Sequence, residues 1–193
     1  MPFIAKKLIL SAALFAAANA WATGPSNSAA PAFDVSGAFG SINGVTYRVH
    51  GAGGGRFAGT SANDLNDYKN TWSVSCQVDA MTDKKKCTLH RRDLVVMLES
   101  GKVVFLYVGD EHFPGKQTAI RVDDKKPHIG KQGSDGDFTG GQVRAIVQQL
   151  TKGKSVITRF YQWPEDFARD DTFELTGFNE ALEYAKWASR HIE

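Results

Sequence analysis

The stretch Trp72–Arg92 reads Trp-Ser-Val-Ser-Cys-Gln-Val-Asp-Ala-Met-Thr-Asp-Lys-Lys-Lys-Cys-Thr-Leu-His-Arg-Arg. Its first seven residues alternate apolar and polar side chains, which is the period-two pattern of a strand with one buried face. A charged turn follows, and Cys87 and Leu89 then resume the apolar face. The pattern predicts a β-hairpin that carries the only two cysteines of the chain, Cys76 and Cys87.

The N-terminal residues have the features of an export signal. Lys6 and Lys7 precede an apolar run, residues 8–18, and the small-residue sites end at Ala20 and Ala22. We therefore predict a signal peptide over residues 1–22, cleaved after Ala20 or Ala22, and a periplasmic or secreted protein. An uncleaved membrane anchor is the alternative, but the run is shorter than the ~20 residues that a membrane span needs. No transmembrane segment is predicted after signal removal.

Export to an oxidising compartment decides how the two cysteines are interpreted. Ten residues separate Cys76 from Cys87, and such a pair in an exported hairpin predicts a structural disulfide. A redox pair more often has two residues between its cysteines, and a zinc site needs more ligands than two cysteines. Closing a loop of this size stabilises a fold by roughly 3 kcal/mol in the chain-entropy model.

Length and composition predict a single folded domain. The chain has 193 residues, of which 42% are hydrophobic and 23% charged, as is ordinary for a globular protein. Residues 23–38 are rich in small and polar residues and predict a flexible leader, so that the domain spans residues 39–193. The net charge of +2 equals the charge of Lys6 and Lys7, so the chain without residues 1–22 is formally neutral.

The order of elements predicts a mostly β, α+β protein. Apolar runs predict strands over residues 42–49, 94–98, 103–108, 117–122, 154–163 and 172–175. Two helices are predicted in the C-terminal half, one beginning at a capping box of Thr139 and Gln142, the other beginning near Asn179. We expect an antiparallel sheet or sandwich-like core with both helices packed against it.

Few residues are arranged as catalysis or metal binding would require. Asp110-Glu111-His112 could transfer protons at a strand end, and Asp123-Asp124 could ligate calcium, but solvated turns explain both. The glycine run 51–55 lacks the spacing of a phosphate loop, and we interpret it as a mobile loop. The five histidines (His50, His90, His112, His128 and His191) show no metal-binding spacing. We predict no catalytic residue, metal or cofactor.

Two clusters of charge and one of aromatic residues could bind a partner. Lys84, Lys85, Lys86, Arg91 and Arg92 are expected to gather at one end of the hairpin as a basic patch, which could dock on an anionic surface. The acidic cluster comprises Glu165, Asp166, Asp170, Asp171 and Glu174. Solvated turns are the alternative for both clusters. Nucleic acid is not expected as the partner of an exported protein.

The strand near the acidic cluster contains Phe160, Tyr161 and Trp163. Exposed rings there would form a binding surface for a partner or a glycan. Packing of these rings in the core is the alternative. Which of the two holds depends on whether the rings of Tyr161 and Trp163 are exposed.

Several short motifs, taken in order, resemble the invasion-associated locus B family of exported proteins from Gram-negative bacteria. They are Trp72-x-Val74-x-Cys76, the second cysteine Cys87, a strand-rich middle, Leu150-Thr151-Lys152-Gly153-Lys154, and Leu175-Thr176-Gly177-Phe178 with Ala181-Leu182. The likeness covers about residues 69–185. It implies a β-rich, non-enzymatic protein of the periplasm or cell surface, linked in some members to host-cell invasion.

These observations favour a non-catalytic exported interaction or binding module, whose partner is an unidentified protein or a surface of the envelope or host. A small periplasmic hydrolase is the alternative, with a site assembled from scattered residues such as His112 and Asp110. A glycan or small-ligand binder that uses Tyr161 and Trp163 is the third possibility.

Overall fold

A computed structural model gives the structure of the protein and describes residues 32–59, 65–130 and 137–193. The described residues belong to one compact unit. The predicted signal peptide, residues 1–22, and its cleavage sites lie outside the described residues. None of the helices in the described part of the chain is long and apolar enough to cross a membrane.

Twelve strands in the described residues form two antiparallel sheets. The first sheet has the order β1-β2-β3-β4-β5-β6-β7-β10, and the second has the order β12-β11-β8-β9. The strands are β1 Ser36–Ile42, β2 Val45–His50, β3 Gly54–Ala58, β4 Thr71–Val78, β5 Lys85–Arg91, β6 Leu94–Glu99, β7 Lys102–Val108, β8 Ala119–Val122, β9 His128–Ile129, β10 Asp137–Phe138, β11 Ser155–Tyr161 and β12 Ala168–Glu174.

The two helices are α1, Gly141–Leu150, and α2, Phe178–His191. Helix α2 packs across β3 to β6, and helix α1 packs against β7 and β8. A single cluster of buried apolar side chains joins both helices to both sheets. The predicted fold class, a mostly β α+β protein with two C-terminal helices, is confirmed.

The predicted hairpin is formed by β4 and β5. Cys76 lies directly opposite Cys87, with a Cα–Cα distance of 4.1 Å, and the two sulfurs are at disulfide-bonding distance. Both cysteines and Trp72 are buried on the face that α2 covers, as the alternating pattern predicts. The cysteines therefore link two central strands of the first sheet beneath helix α2.

The folded part of the chain begins earlier than predicted. The predicted leader, residues 23–38, overlaps β1, which starts at Ser36. The side chain of Phe33 is buried and packs edge-on against Tyr47, Phe57 and Tyr184. The leader prediction is wrong for this part, because one aromatic anchor inside a stretch of small residues is enough to fix the chain on the core.

The predicted first strand, residues 42–49, is in fact two strands. Asn43 and Gly44 form the turn between β1 and β2, with φ of 51° and 79°. Asn-Gly is the favoured pair for a two-residue hairpin, because both positions need positive φ. The sequence therefore contained the signal for this turn.

The glycine run 51–55 is not a mobile loop. Residues 51–53 turn the chain between β2 and β3, and Gly54 and Gly55 belong to β3. The Tyr184 hydroxyl donates to the carbonyls of Gly51 and Gly54, at 3.0 and 2.8 Å. Burial of this phenol raises its pKa to about 12. Helix α2 thus fixes the glycine-rich turn in place.

Both helices begin close to the predicted positions, but their N-caps differ from the predicted ones. Helix α1 has Gly140 as its N-cap and no side-chain cap, so the predicted capping box of Thr139 and Gln142 is wrong. The Gln142 amide instead donates to the Ile129 carbonyl at 3.0 Å. Gly177 caps α2, and Asn179 donates to the Thr151 carbonyl. The side chains of Gln142 and Asn179 therefore bond to residues outside their own helices and do not cap the helix ends.

Candidate functional site

The predicted basic patch is divided between two ends of the hairpin. Lys84, Lys85 and Lys86 lie at the turn, whereas Arg91 and Arg92 lie at the far end of β5, because Lys85 is opposite Val78 and His90 is opposite Ser73. The prediction that these residues gather at one end is wrong. The seven-residue strand between the two groups holds them about 20 Å apart at roughly 3.3 Å per residue.

At the turn, acidic neighbours offset much of the lysine charge. Lys84 pairs with Glu99 at 3.0 Å, and Lys86 pairs with Asp79 at 2.6 Å. The hydrogen bond from Lys86 holds the pKa of Asp79 well below its usual value. Lys85 reaches toward the carbonyl of Arg190 at the end of α2. The turn is therefore expected to bind an anionic partner more weakly than its three lysines suggest.

Arg91 and Arg92 have structural partners. The Arg91 side chain is 5% exposed and donates to the carbonyls of Lys69 and Glu174 and to the amide oxygen of Asn70. Arg92 forms a salt bridge with Asp171 of the second sheet. Both guanidinium groups thus join the end of the hairpin to β12 and are not available to a partner.

The acidic cluster is also largely neutralised. Asp170 forms two hydrogen bonds with Arg159, at 2.6 and 2.5 Å, and these lower its pKa. Asp166 pairs with Lys116 at 2.6 Å. Only Glu165 and Glu174 of the predicted cluster form no salt bridge with the described residues. Asp170 thus links β12 to β11, and Asp171 links β12 to Arg92 at the end of the hairpin, so the cluster presents less free charge than its five carboxylates suggest.

His112 and Asp110 are not hydrogen-bonded to each other within the described part of the chain. The His112 Nε2 atom lies 2.7 Å from the Val108 carbonyl oxygen, and its ring packs edge-on against Phe160. The hydrogen bond to a carbonyl requires a proton on Nε2, which orients the ring toward its own strand. This arrangement supports a structural role for His112.

The predicted calcium ligand Asp123 has another function. Its Oδ1 atom accepts hydrogen bonds from the backbone amides of Ser155 and Lys154, at 2.9 and 3.0 Å, and these lower its pKa. The neighbouring Asp124 lies 3.9 Å from Arg121. Among the described residues, no group of three acidic, histidine or cysteine side chains could hold a metal ion.

The three aromatic residues near β11 differ in exposure. Phe160 is buried, Tyr161 is half-buried under the Lys116 ammonium, and Trp163 is 54% exposed. The ring of Trp163 packs against Phe113, with 5.4 Å between centroids. One ring of the three is thus largely open to solvent, and glycan binding through Tyr161 and Trp163 stays a prediction.

A groove on the outer face of the first sheet was not predicted. It has a volume of about 660 Å³, within the usual range for small-molecule sites, and lies opposite the face that α2 covers. We call it the basic groove, because among the described residues its charged side chains are arginines and no carboxylate lines it. The polar and aromatic side chains lining it are Phe39, Arg48, His50, Arg56, Asn66, Tyr68, Ser73, Ser75 and His90.

Cross-strand register places these side chains in a row. Phe39 is opposite Arg48, Arg48 is opposite Arg56, Arg56 is opposite Ser73, and Ser73 is opposite His90. Directly opposite residues point to the same face of a sheet, at a strand spacing of about 4.8 Å. The row from Arg48 to His90 therefore spans about 14 Å of the groove.

Neighbouring groups hold both arginines in position. The Arg48 Nε atom donates to the Gly37 carbonyl at 2.8 Å, and its guanidinium lies 5.1 Å from the Phe39 ring centroid. Arg56 donates to the Leu65 carbonyl and to the Tyr68 hydroxyl, both at 3.1 Å, and lies 4.5 Å from the Tyr68 ring centroid. Both guanidinium groups are thus oriented before any ligand is present.

Gly37 shapes one wall of the groove. Strand β1 is irregular between Ser36 and Phe39, and Gly37 has φ of 92° in that segment. A Cβ atom at residue 37 would lie 2.6 Å from His50 Nδ1, so only glycine fits against this imidazole. Gly37 therefore allows the close approach of β1 to His50 on the groove face. Gly55 is opposite the buried Val49, so the 2.3 Å that would separate a Cβ atom at residue 55 from a Val49 methyl group concerns the core face of the sheet.

The groove is electrically positive. No salt bridge involves Arg48 or Arg56 within the described part of the chain. Like charges directly opposite each other on neighbouring strands destabilise a sheet, and no carboxylate of a described residue forms a salt bridge that offsets the pair. Burial and the positive charge of Arg56 lower the pKa of His90. The groove can accept an anion without displacing a salt bridge of a described residue.

Comparison of the chain with protein-family models, curated proteins and solved structures finds no match. The resemblance to the invasion-associated locus B family therefore stays a prediction. The site defines the protein by class only: a β-rich fold with a groove on the outer face of its larger sheet that is lined by two arginines without a salt bridge to a described residue.

Proposed function

We propose that the protein is an exported, non-catalytic binding module that takes an anionic ligand in the basic groove. The observation that carries this proposal is the pair Arg48 and Arg56, which are directly opposite each other and share no salt bridge with the described residues. An anion between them would offset the repulsion of the two charges and form charge-assisted hydrogen bonds.

The surroundings of the groove support binding more than chemistry. Its side chains offer fixed cations, hydroxyls and two imidazoles, His50 and His90. A general base needs a pKa near the working pH and a partner that orients it. Burial and the positive charge of Arg56 lower the pKa of His90 from its ordinary value, and no hydrogen bond from a described residue orients its ring as a base. The alternative hydrolase site loses support, since His112 bonds to a backbone carbonyl.

Export and membership of an invasion-associated locus B-like family form part of the proposal. The supporting features are the signal-like residues 1–22 and the disulfide-distance pair Cys76 and Cys87. We expect protein recovered from the periplasm to begin at Trp21 or Thr23. Intact-mass measurement of the natively expressed chain tests this, and a mass that includes residues 1–22 would contradict export with cleavage.

The anion-binding proposal predicts a specific loss on removal of the two arginines. The double variant R48Q/R56Q is expected to elute from a dextran sulfate matrix at a clearly lower salt concentration than the unmodified protein. Each arginine that contacts the polyanion releases bound counterions. The double variant makes fewer such contacts, so a lower salt concentration is enough to elute it. Elution under a salt gradient at pH 7.5 measures the effect.

The control removes the same charge elsewhere. The variant K84Q/K86Q loses two positive charges at the hairpin turn and also tests the rival basic patch. We expect its elution to shift much less, because both lysines already pair with carboxylates. Unchanged retention of R48Q/R56Q together with lost retention of K84Q/K86Q would reject the groove and favour the turn.

A further inference from the structure

The basic groove combines exposed aromatic rings with cationic and hydroxyl groups. Two large rings lie at its rim, Phe39 at 69% and Tyr68 at 65% exposure. The middle holds the paired guanidinium groups and the hydroxyls of Ser73 and Ser75. A ligand that fits must therefore combine a compact anionic group with a body that can pack against rings.

The groove offers an anionic group more hydrogen-bond donors than a carboxylate can use. The two Nη atoms of Arg48 donate to no atom of the described residues, whereas its Nε–H donates to the Gly37 carbonyl. Arg56 uses its two Nη atoms for Leu65 and Tyr68, which leaves its Nε–H without a partner among the described residues. A phosphate monoester presents three acceptor oxygens and a charge of about −1.5 to −2 at pH 7. Two arginines on opposite sides match its charge and its oxygens.

The hydroxyl groups of Ser73 and Ser75 offer further hydrogen-bond donors to a phosphate group. Ser73 is opposite Arg56 in the row, and Ser75 lies two residues along β4 on the same face. Hydroxyls donate one hydrogen bond each and are common in phosphate sites, where they add donors without adding charge. A third or fourth oxygen contact is thus available next to Arg56.

The size of the groove requires more than an inorganic ion. A volume of about 660 Å³ accommodates a small organic molecule, whereas a phosphate group alone would leave most of it filled by water. Resting on the proposed anion-binding function, we infer that the groove binds a phosphate monoester of a ring compound, with the phosphate between Arg48 and Arg56 and the ring against Phe39 or Tyr68.

Three small probes test this inference. Phenyl phosphate carries both parts, inorganic phosphate lacks the ring, and benzoate has a ring with a single-charge carboxylate. Titration of the full chain at pH 7.5, by calorimetry, is expected to give phenyl phosphate an affinity at least tenfold above each of the others. Arg48→Gln and Arg56→Gln are each expected to weaken phenyl phosphate binding at least tenfold, and Arg144→Gln, on the exposed side of α1, is expected to leave it unchanged.

A spectroscopic readout separates ligand binding from a structural effect of the variants. Bound phosphate near the row would favour the charged form of His90, so its pKa is expected to rise in the complex. Histidine proton resonances followed between pH 5 and 8, with and without saturating phenyl phosphate, report this shift. Urea unfolding midpoints equal to that of the unmodified protein show that each variant is folded.

The possible outcomes are distinct. Equal affinity for benzoate and phenyl phosphate would overturn the phosphate assignment and leave the anion-binding function in place. Equal affinity for inorganic and phenyl phosphate would overturn the ring contact. Failure of all three probes, with dextran sulfate retention still dependent on Arg48 and Arg56, would overturn the inference alone. Retention that is independent of these arginines would overturn the proposed function itself.

Discussion

The free energy of unfolding is expected to fall by about 3 kcal/mol when Cys76 and Cys87 are both replaced by alanine. A disulfide between them closes a loop of twelve residues and restricts the unfolded chain, and the alanine pair removes that restriction. Loss of two buried sulfurs beneath α2 adds a packing cost. Urea unfolding of both proteins under oxidising conditions, followed by circular dichroism, measures the difference.

Reductant provides the control for this prediction. The unmodified protein in dithiothreitol is expected to approach the stability of the alanine pair, whereas the alanine pair should not respond to dithiothreitol. Equal stability of the oxidised protein and the alanine pair would contradict a stabilising disulfide.

Replacement of Arg91 by leucine is expected to lower the free energy of unfolding by on the order of 3 kcal/mol. The change removes the donor to the Glu174 carbonyl, at 2.8 Å, and leaves this acceptor without a partner beside the second sheet. It also removes the contacts of the guanidinium with the Trp72 and Phe173 rings, at 5.9 and 5.4 Å. Chemical denaturation measures the loss.

Two further variants make the Arg91 prediction specific. Arg91→Lys keeps the charge but not the planar fork, so we expect a loss between those of the leucine variant and the unmodified protein. Arg144→Leu replaces an exposed arginine of α1, and its effect is expected to stay within about 0.5 kcal/mol. An Arg91→Leu effect as small as that of Arg144→Leu would show that the bonds to β12 contribute little.

Local patterns predicted most of the strands. The alternation from Trp72 to Val78 predicted a half-buried strand, and β4 covers the same residues. The turn at Ser100 and Gly101, between β6 and β7, also follows from local residue preferences, since both residues have positive φ. Such features depend on neighbours along the chain, and these are visible in the sequence.

The region of the first two strands shows where prediction from local sequence patterns was incomplete. The Asn43-Gly44 turn was present in the sequence, whereas the burial of Phe33 was not predictable from its small and polar neighbours. Phe33 packs against Tyr184, which lies far along the chain in α2. A contact of this kind depends on the assembled sheet and helix.

The candidate site was the least predictable part. Arg48, Arg56 and His90 lie in three different strands and contribute one polar position each to ordinary alternating patterns. The available signal was the polar face of each strand, but only the register places the three side chains side by side. The consecutive basic residues of the hairpin were easier to recognise in the sequence. They are a poorer candidate for a binding site, because Arg91 and Arg92 bond to β12.

The sequence by itself determined the hairpin of Trp72–Arg92, the mostly β class with two late helices, and the pairing of Cys76 with Cys87. These follow from side-chain periodicity, turn residues and the number of cysteines, all of which act over short distances along the chain. The tertiary structure alone decided which charges are available. Salt bridges pair Lys84 and Lys86 at the hairpin turn, and the aspartates near β12, with opposite charges. Sheet register brings Arg48 and Arg56 together without a described acidic partner, because electrostatic pairing depends on distance in space.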